Sequence, residues 1–202
     1  WLFENEFALM AGTSTSGTIT QWFKKEFAKD LDSDEALQIL SEMAEKSPIG
    51  SKNLITLPYF SGERTPIQDP NACGIIFGLN LTHNREDIYR SIIEGISYGA
   101  NHIIETFMQS DFIPKKLFAV GGGVKNKIWA SSISNISSLS QELKSKTIGA
   151  SYGNSFLAAL SIGDVDIADI DSWNKTKHII NPKPSKIYKE QFKIFKKLYE
   201  NN

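Results

Sequence analysis

The chain has 202 residues, enough to bury the core of one large domain or of two small ones. Hydrophobic residues make up 41% and charged residues 22%, and a formal net charge of -1 gives no electrostatic case for nucleic acid or a membrane surface. The lone Cys73 leaves no internal disulfide framework, no apolar run approaches the roughly 20 residues that span a bilayer, and no signal-peptide pattern is visible. The expected location is the cytoplasm.

Trp1 is followed by "LFENEFALMAG" with no Met before it, and an apolar start of that kind suits a piece of a longer protein better than a fraying terminus. Residues 1–10 alternate loosely and suggest an edge strand. In "GTSTSGTITQWFKKEFA" Trp22, Phe23 and Phe27 recur at helical spacing, which predicts a helix from about Ser16 or Gly17. "DLDSDEALQILSEMAEKS" predicts a second helix, with Leu37, Leu40 and Ala44 on one stripe. Acids are expected in its first turn, where the helix dipole favours them, and Pro48 and Gly50 are expected to stop it.

Leu54 to Leu57 and Gly74 to Leu79 read as strands, with Pro58, Gly62, Pro66 and Pro70 punctuating the stretch between. "HNREDIYRSIIEGISYGANHIIETFMQS" predicts a long helix, with Ile88, Ile92, Ile96, Ile103 and Phe107 as its apolar stripe and Asn84 capping it together with Asp87. Ser91, Gly95 and Gly99, four apart, form a strip on which a neighbour can pack closely. "KLFAV" reads as a short buried strand, followed by Gly121, Gly122 and Gly123 and then a helix with Trp129, Ile133 and Ile136 on one face. A strand is expected around 141–147 despite its polar sequence, then a helix in "IGASYGNSFLAALSIG" stopped by Gly163. In the tail, Ile187, Phe192, Phe195 and Leu198 fall in helical phase among lysines that form a solvated face. The alternation of strand, turn and helix after residue 70 predicts a mixed α/β domain.

Three adjacent glycines between a strand and a helix admit two readings. They can be a tight packing turn, or backbone N–H groups offered to a phosphate or nucleotide at the positive end of a helix. Neither G-x-x-x-x-G-K-[ST] nor G-x-G-x-x-G is present, so the residues alone favour neither. In "GERTP" (62–66) Glu63 beside Arg64 reads as a loop braced by an internal ion pair, or as the lining of a cleft or domain interface. His83, His102 and His178 lie far apart without metal-ligand spacing, so no metal site is expected. His83 and Asp69 read as turn residues, and Asp87 as a first-turn acid.

"GIIFGLNLTHNREDIYRSIIE" (74–94) resembles the second signature of the FGGY carbohydrate kinases. The constrained positions of that signature fall on Gly74, Ile76, Gly78, Leu79, Asp87, Ile88, Ser91, Ile92, Ile93 and Glu94. "LPYFSGERTPIQDP" looks like the xylulokinase-type version of the preceding loop, while "GGGVKNKIW" and "IGASYGNSFLAAL" look like the adenosine-site turn and the helix after it. The resemblance implies an actin-like ATPase (ribonuclease H-like) fold, a mixed sheet flanked by helices, and a chain that is most of the second domain over 1–202. It also implies an ATP site containing Gly122, Gly123, Asn126 and Lys127, with Gly17 and Gln21 matching a Gly-x-x-x-Gln-Trp segment of glycerol kinases. Ser131, Asn135 and Asn154 depart from the family pattern. The catalytic Asp of the family is expected upstream of residue 1, so the chain alone is expected to be inactive. The implied reaction moves the γ-phosphoryl group of ATP, with Mg2+ on its phosphates, to a sugar hydroxyl, with a xylulose-like ketose favoured. The sugar would be held mainly by a preceding domain, and a homodimer is a possible assembly. The alternative is a non-catalytic nucleotide-binding module of the same superfamily.

Overall fold

The computed structural model describes residues 8–31, 34–110 and 112–201. The edge strand expected over residues 1–10 lies mostly outside them, and residues 8–10 carry no regular structure. The first helix, α1 (Gly17–Phe27), forms where expected, but its buried face is corrected: Ile19, Thr20 and Phe23 are buried, whereas Trp22 and Phe27 of the expected stripe are exposed. α2 (Ala36–Ala44) buries Ala36, Leu40 and Ala44, but Asp34 and Glu35 precede the helix, so its first turn holds no acid.

β1 (Ile55–Leu57) pairs antiparallel with β2 (Ile75–Phe77), and Pro-rich residues 58–74 loop out between them. α3 (Arg85–Gln109) runs behind both, opened by a capping box in which Asn84 accepts from the Asp87 N–H and Asp87 accepts from the Asn84 N–H. The small-residue strip has its partner here. Ser91 and Thr56 share a hydrogen bond of 2.9 Å, and a Cβ at Gly95 would collide with the Thr56 carbonyl oxygen. A side chain at 95 would therefore push β1 off the helix.

The second half alternates β3 (Leu117–Ala119), α4 (Lys127–Ser137), β4 (Gln141–Lys144), α5 (Ala150–Ser161), α6 (Ile170–Trp173), β5 (Thr176–Ile180) and α7 (Lys186–Glu200). β3 pairs parallel with β4, and β5 closes the other side of β4 antiparallel. The expected burial of β3 is corrected: Leu117 and Ala119 are half-buried, and Phe118, which projects from the opposite face, is 54% exposed. The ammonium groups of Lys116 and Lys144 each lie 4.7 Å from the Phe118 ring. The face of α4 is corrected as well. Its buried residues are Ile128, Ala130, Ser132 and Ser134, whereas Trp129, Ile133 and Ile136 are half-buried. The helix is clasped on two sides, by the apolar cluster that takes Ile128 and by Gln141 of β4, which donates to Ala130 O at 2.8 Å.

Among the described residues two apolar clusters form the core. One joins Ile19 and Phe23 of α1, Leu40 and Ala44 of α2, Tyr89, Ile92, Ile93 and Ile96 of α3, and Ile128 of α4. The other joins Ile55 and Leu57 of β1, Tyr59, Tyr98 of α3, and Tyr188, Phe192 and Phe195 of α7. Burying one such side chain is worth about 1.5–3 kcal/mol, so each cluster outweighs any single surface contact.

Candidate functional site

The glycine turn is built by long-range contacts. Gly121 adopts φ +91° and donates its N–H to Thr147 O at 2.9 Å, so glycine is favoured there by backbone conformation. Residues 122–125 form one 3-10 turn, and Asn126 then caps α4, its Oδ1 accepting from the Trp129 N–H at 3.0 Å. The other end of the same side chain donates to Ser41 Oγ of α2 at 2.8 Å. Gly123 rests on the Trp129 ring, where an added Cβ would sit 3.4 Å from two ring carbons. At Gly122 a Cβ would meet no protein atom within 4 Å. Packing and backbone conformation thus account for glycine at 121 and constrain 123, but they ask for nothing at 122.

Gly17 is the first residue of α1, and no side chain caps that end of the helix. Gln21, one turn on, is exposed and lines an open cavity of about 430 Å³ with Lys24, Lys25 and Lys29. No residue of the glycine turn lines that cavity. The two segments instead share a floor: Ile19 and Phe23 lie under α1 and Trp129 lies under Gly123, all against one apolar cluster. The structure brings Gly122, Gly123, Asn126 and Lys127 together in one turn and keeps Gly17 and Gln21 on a separate helix of the same core. Lys127 is exposed at the start of α4.

The sequence marked Glu63 as a brace or a cleft residue but not its partners. The loop is braced by backbone donors, not by the expected ion pair: Glu63 Oε1 accepts from the Ser14 N–H at 2.8 Å and the Arg64 N–H at 2.6 Å. Burial pushes the Glu63 carboxyl up, against the opposing pull of those two hydrogen bonds. Thr65 N donates to Gly12 O at 3.1 Å, and the Thr15 hydroxyl donates to Pro58 O. The segment leading into α1 is thereby gripped by residues 58–65. A glutamate amid glycine and proline carries no periodicity, so only the fold reveals those partners.

Other polar candidates are structural. His83 accepts from the Asn80 N–H at 3.1 Å in its turn, and the Asp69 carboxylate accepts from the Asn71 N–H at 2.8 Å in another. Asn135, a departure from the family pattern, accepts from the Lys183 N–H at 2.7 Å and so anchors the segment before α7. Burial raises the Asp87 carboxyl, but hydrogen bonds from Lys52 and Ser47 more than offset it and hold the group below its usual range. Glu94 is fully buried, accepting from Gly50 N, Ser51 Oγ, Arg90 Nε and Tyr188 OH. Among the described residues no cluster of three or more His, Cys, Asp or Glu is placed to hold a metal ion, and no helix is long and apolar enough to cross a membrane.

A mixed three-stranded sheet lies among helices, with a glycine turn between β3 and α4, in keeping with the actin-like ATPase fold expected from the sequence. The model of the FGGY family of carbohydrate kinases, C-terminal domain, matches residues 2–162, and the chain belongs to that family. Over 200 residues it is 28% identical to a xylulose kinase of Bacillus subtilis, covering 97% of this chain and 39% of the relative. The crystal structure of a xylulose kinase from Rhodospirillum rubrum superposes with a TM-score of 0.83 at 26% identity, covering 94% of this chain and 38% of that one. A glycerol kinase of Plasmodium falciparum, solved with ADP, superposes with a TM-score of 0.77 at 25% identity, covering 92% of this chain and 36% of that one. The chain therefore spans about two fifths of the length of the relatives it matches.

Proposed function

We propose that this chain is the nucleotide-binding part of an ATP-dependent carbohydrate kinase, whose remaining domain holds most of the sugar and the base that takes the hydroxyl proton. One observation carries the reading: a side chain at Gly122 would meet no described protein atom within 4 Å, so the turn presents bare backbone to open space. A flat ligand lying on the turn gives glycine there a purpose that packing does not. Asn126 holds the turn in place, and Gly123 on Trp129 gives it a rigid base. Gly17 and Gln21, on the neighbouring helix, are assigned to the same nucleotide, with Lys127 at its edge.

Phosphoryl transfer asks a protein mainly for positioning and for charge stabilisation. Mg2+ bound through the ATP phosphates would neutralise charge on the transferred group, and nothing in this chain is assigned as its direct ligand. The residues here hold and orient the nucleotide. The relatives act under several names, xylulose kinase and glycerol kinase among them. The xylulose-like ketose is favoured because xylulose kinases are found among both the sequence relatives and the structural neighbours. That the relatives are named as kinases weighs against a non-catalytic module.

Calorimetry with ATP on the full-length protein tests the site. Gly122→Val is expected to weaken ATP at least about tenfold with the thermal midpoint unchanged, since the new side chain meets no protein atom at its Cβ. Unchanged affinity in a folded variant would sink the assignment. ADP release across a panel of ketoses and polyols then identifies the acceptor.

A further inference from the structure

Beside the loop at 61–70 lies a second cavity, of about 380 Å³, within the range of small-ligand sites. Ser14, Ser61, Glu63, Arg64 and Gln68 line it. Glu63 is 3% exposed, and its Oε1 is satisfied twice by backbone N–H groups. Its Oε2 is buried with no hydrogen-bond partner. Leaving such an oxygen unpaired is costly, so a donor from outside the described chain is the natural complement. Arg64 supplies the opposite chemistry. Its guanidinium is exposed beside the Gly12 backbone and makes no hydrogen bond among the described residues.

We propose that this cavity binds a vicinal diol of a polyhydroxylated ligand, one hydroxyl donating to Glu63 Oε2 and its neighbour accepting from Arg64. A hydroxyl both donates and accepts, which matches a carboxylate and a guanidinium side by side. A phosphate offers the buried carboxylate only repulsion. A divalent cation would want further carboxylates, and the nearby Asp69 is committed to its own turn. The site is preorganised: Glu63 N donates to Asp69 O at 2.8 Å and Thr65 N to Gly12 O at 3.1 Å, so little ordering remains when a ligand arrives. Glu63 grips Ser14, three residues before Gly17, so the diol lies beside the start of α1. Within the kinase reading on which its naming rests, that diol belongs either to the acceptor sugar or to the ribose of the nucleotide.

The test is calorimetry on the full-length protein with D-xylulose, ADP and 2′,3′-dideoxy-ADP, comparing the unsubstituted protein with Glu63→Gln and Arg64→Ala. The glutamine keeps a carbonyl acceptor for the two backbone N–H groups, and Arg64 lies at the surface, so both variants should fold. A loss of about tenfold or more for D-xylulose, with ADP unchanged, assigns the diol to the sugar. A similar loss for ADP, with dideoxy-ADP indifferent to both substitutions, assigns it to the ribose. Affinities unchanged for all three ligands overturn the proposal, as does an equal fall for all three in step with the thermal midpoint. Because these are binding measurements without turnover, they fail separately from the kinase reading, whose own failure is absent ATP turnover on every sugar.

Discussion

Gly95 and Gly122 are the same residue type doing opposite work. At Gly95 the Thr56 carbonyl oxygen occupies the place of a side chain, whereas at Gly122 nothing does. Gly95→Ala should therefore cost about 1–3 kcal/mol in urea unfolding of the full-length protein, by the usual penalty of overpacking, and leave nucleotide affinity nearly intact. Asp87 supplies a pH-dependent case. Its carboxylate is 1% exposed and accepts from Lys52 Nζ at 2.8 Å and Ser47 Oγ at 2.7 Å. A group held below its unfolded value stabilises the fold above that value, about 3.9 for Asp, and the contribution is lost as pH falls through the lower folded value. Asp87→Asn should cost about 2 kcal/mol at neutral pH, and the difference from the unsubstituted protein should shrink as the solution is acidified toward pH 2. A difference that does not change with pH would refute that role. The sequence marked Gly95 as a close-packing position and Asp87 as a first-turn acid, but not their partners Thr56, Lys52 and Ser47, since a residue reads the same in sequence whatever lies opposite it.

At the scale of elements, α4 depends on one side chain at its start. Asn126 uses its Oδ1 to cap the helix and its Nδ2 to tie the glycine turn to α2. The two duties can be separated. Asn126→Asp keeps the cap acceptor and loses the tether, so stability should hold within about 0.5 kcal/mol while ATP affinity falls several-fold. Asn126→Ala loses both and should also cost about 1 kcal/mol of stability. Thermal unfolding alongside ATP calorimetry checks both, and a tether without effect on affinity would detach α2 from the site. Periodicity made the existence of α1, α3 and α7 legible but not their buried faces: α3 is buried all round from Tyr89 to Gly99, and Trp22 and Phe27 of α1 are exposed. It failed for α4, which is buried on two flanks, and for β5, whose residues are exposed over most of its length. β4 was legible only as an expectation, because its polar residues pair off in the fold: Glu142 accepts from Lys116 at 2.7 Å and Gln141 bonds to α4.

Over the whole molecule, the family match ends at residue 162, yet α7 beyond it supplies Tyr188, Phe192 and Phe195 to one of the two cores. It is also locked by polar contacts: Gln191 donates to Gly50 O at 2.7 Å, Tyr98 OH donates to Gln191 Oε1 at 2.8 Å, and Tyr188 OH reaches Glu94. Ending the full-length protein before Lys186 should uncover Leu57, Tyr59 and Tyr98 and lower the thermal midpoint by more than 10 °C or abolish soluble expression, with increased dye binding to apolar surface. An unaffected midpoint would show α7 to be dispensable. The sequence by itself determined the class, through local signals that survive without a partner: helical stripes, the capping pair Asn84 and Asp87, and the spaced signature from Gly74 to Glu94. Only the tertiary structure decided that Gly122 faces open space, that Asn126 reaches Ser41, and that Glu63 is buried with one oxygen unpaired. Each depends on what distant parts of the chain bring or leave vacant, and that is set by the packing of the whole core.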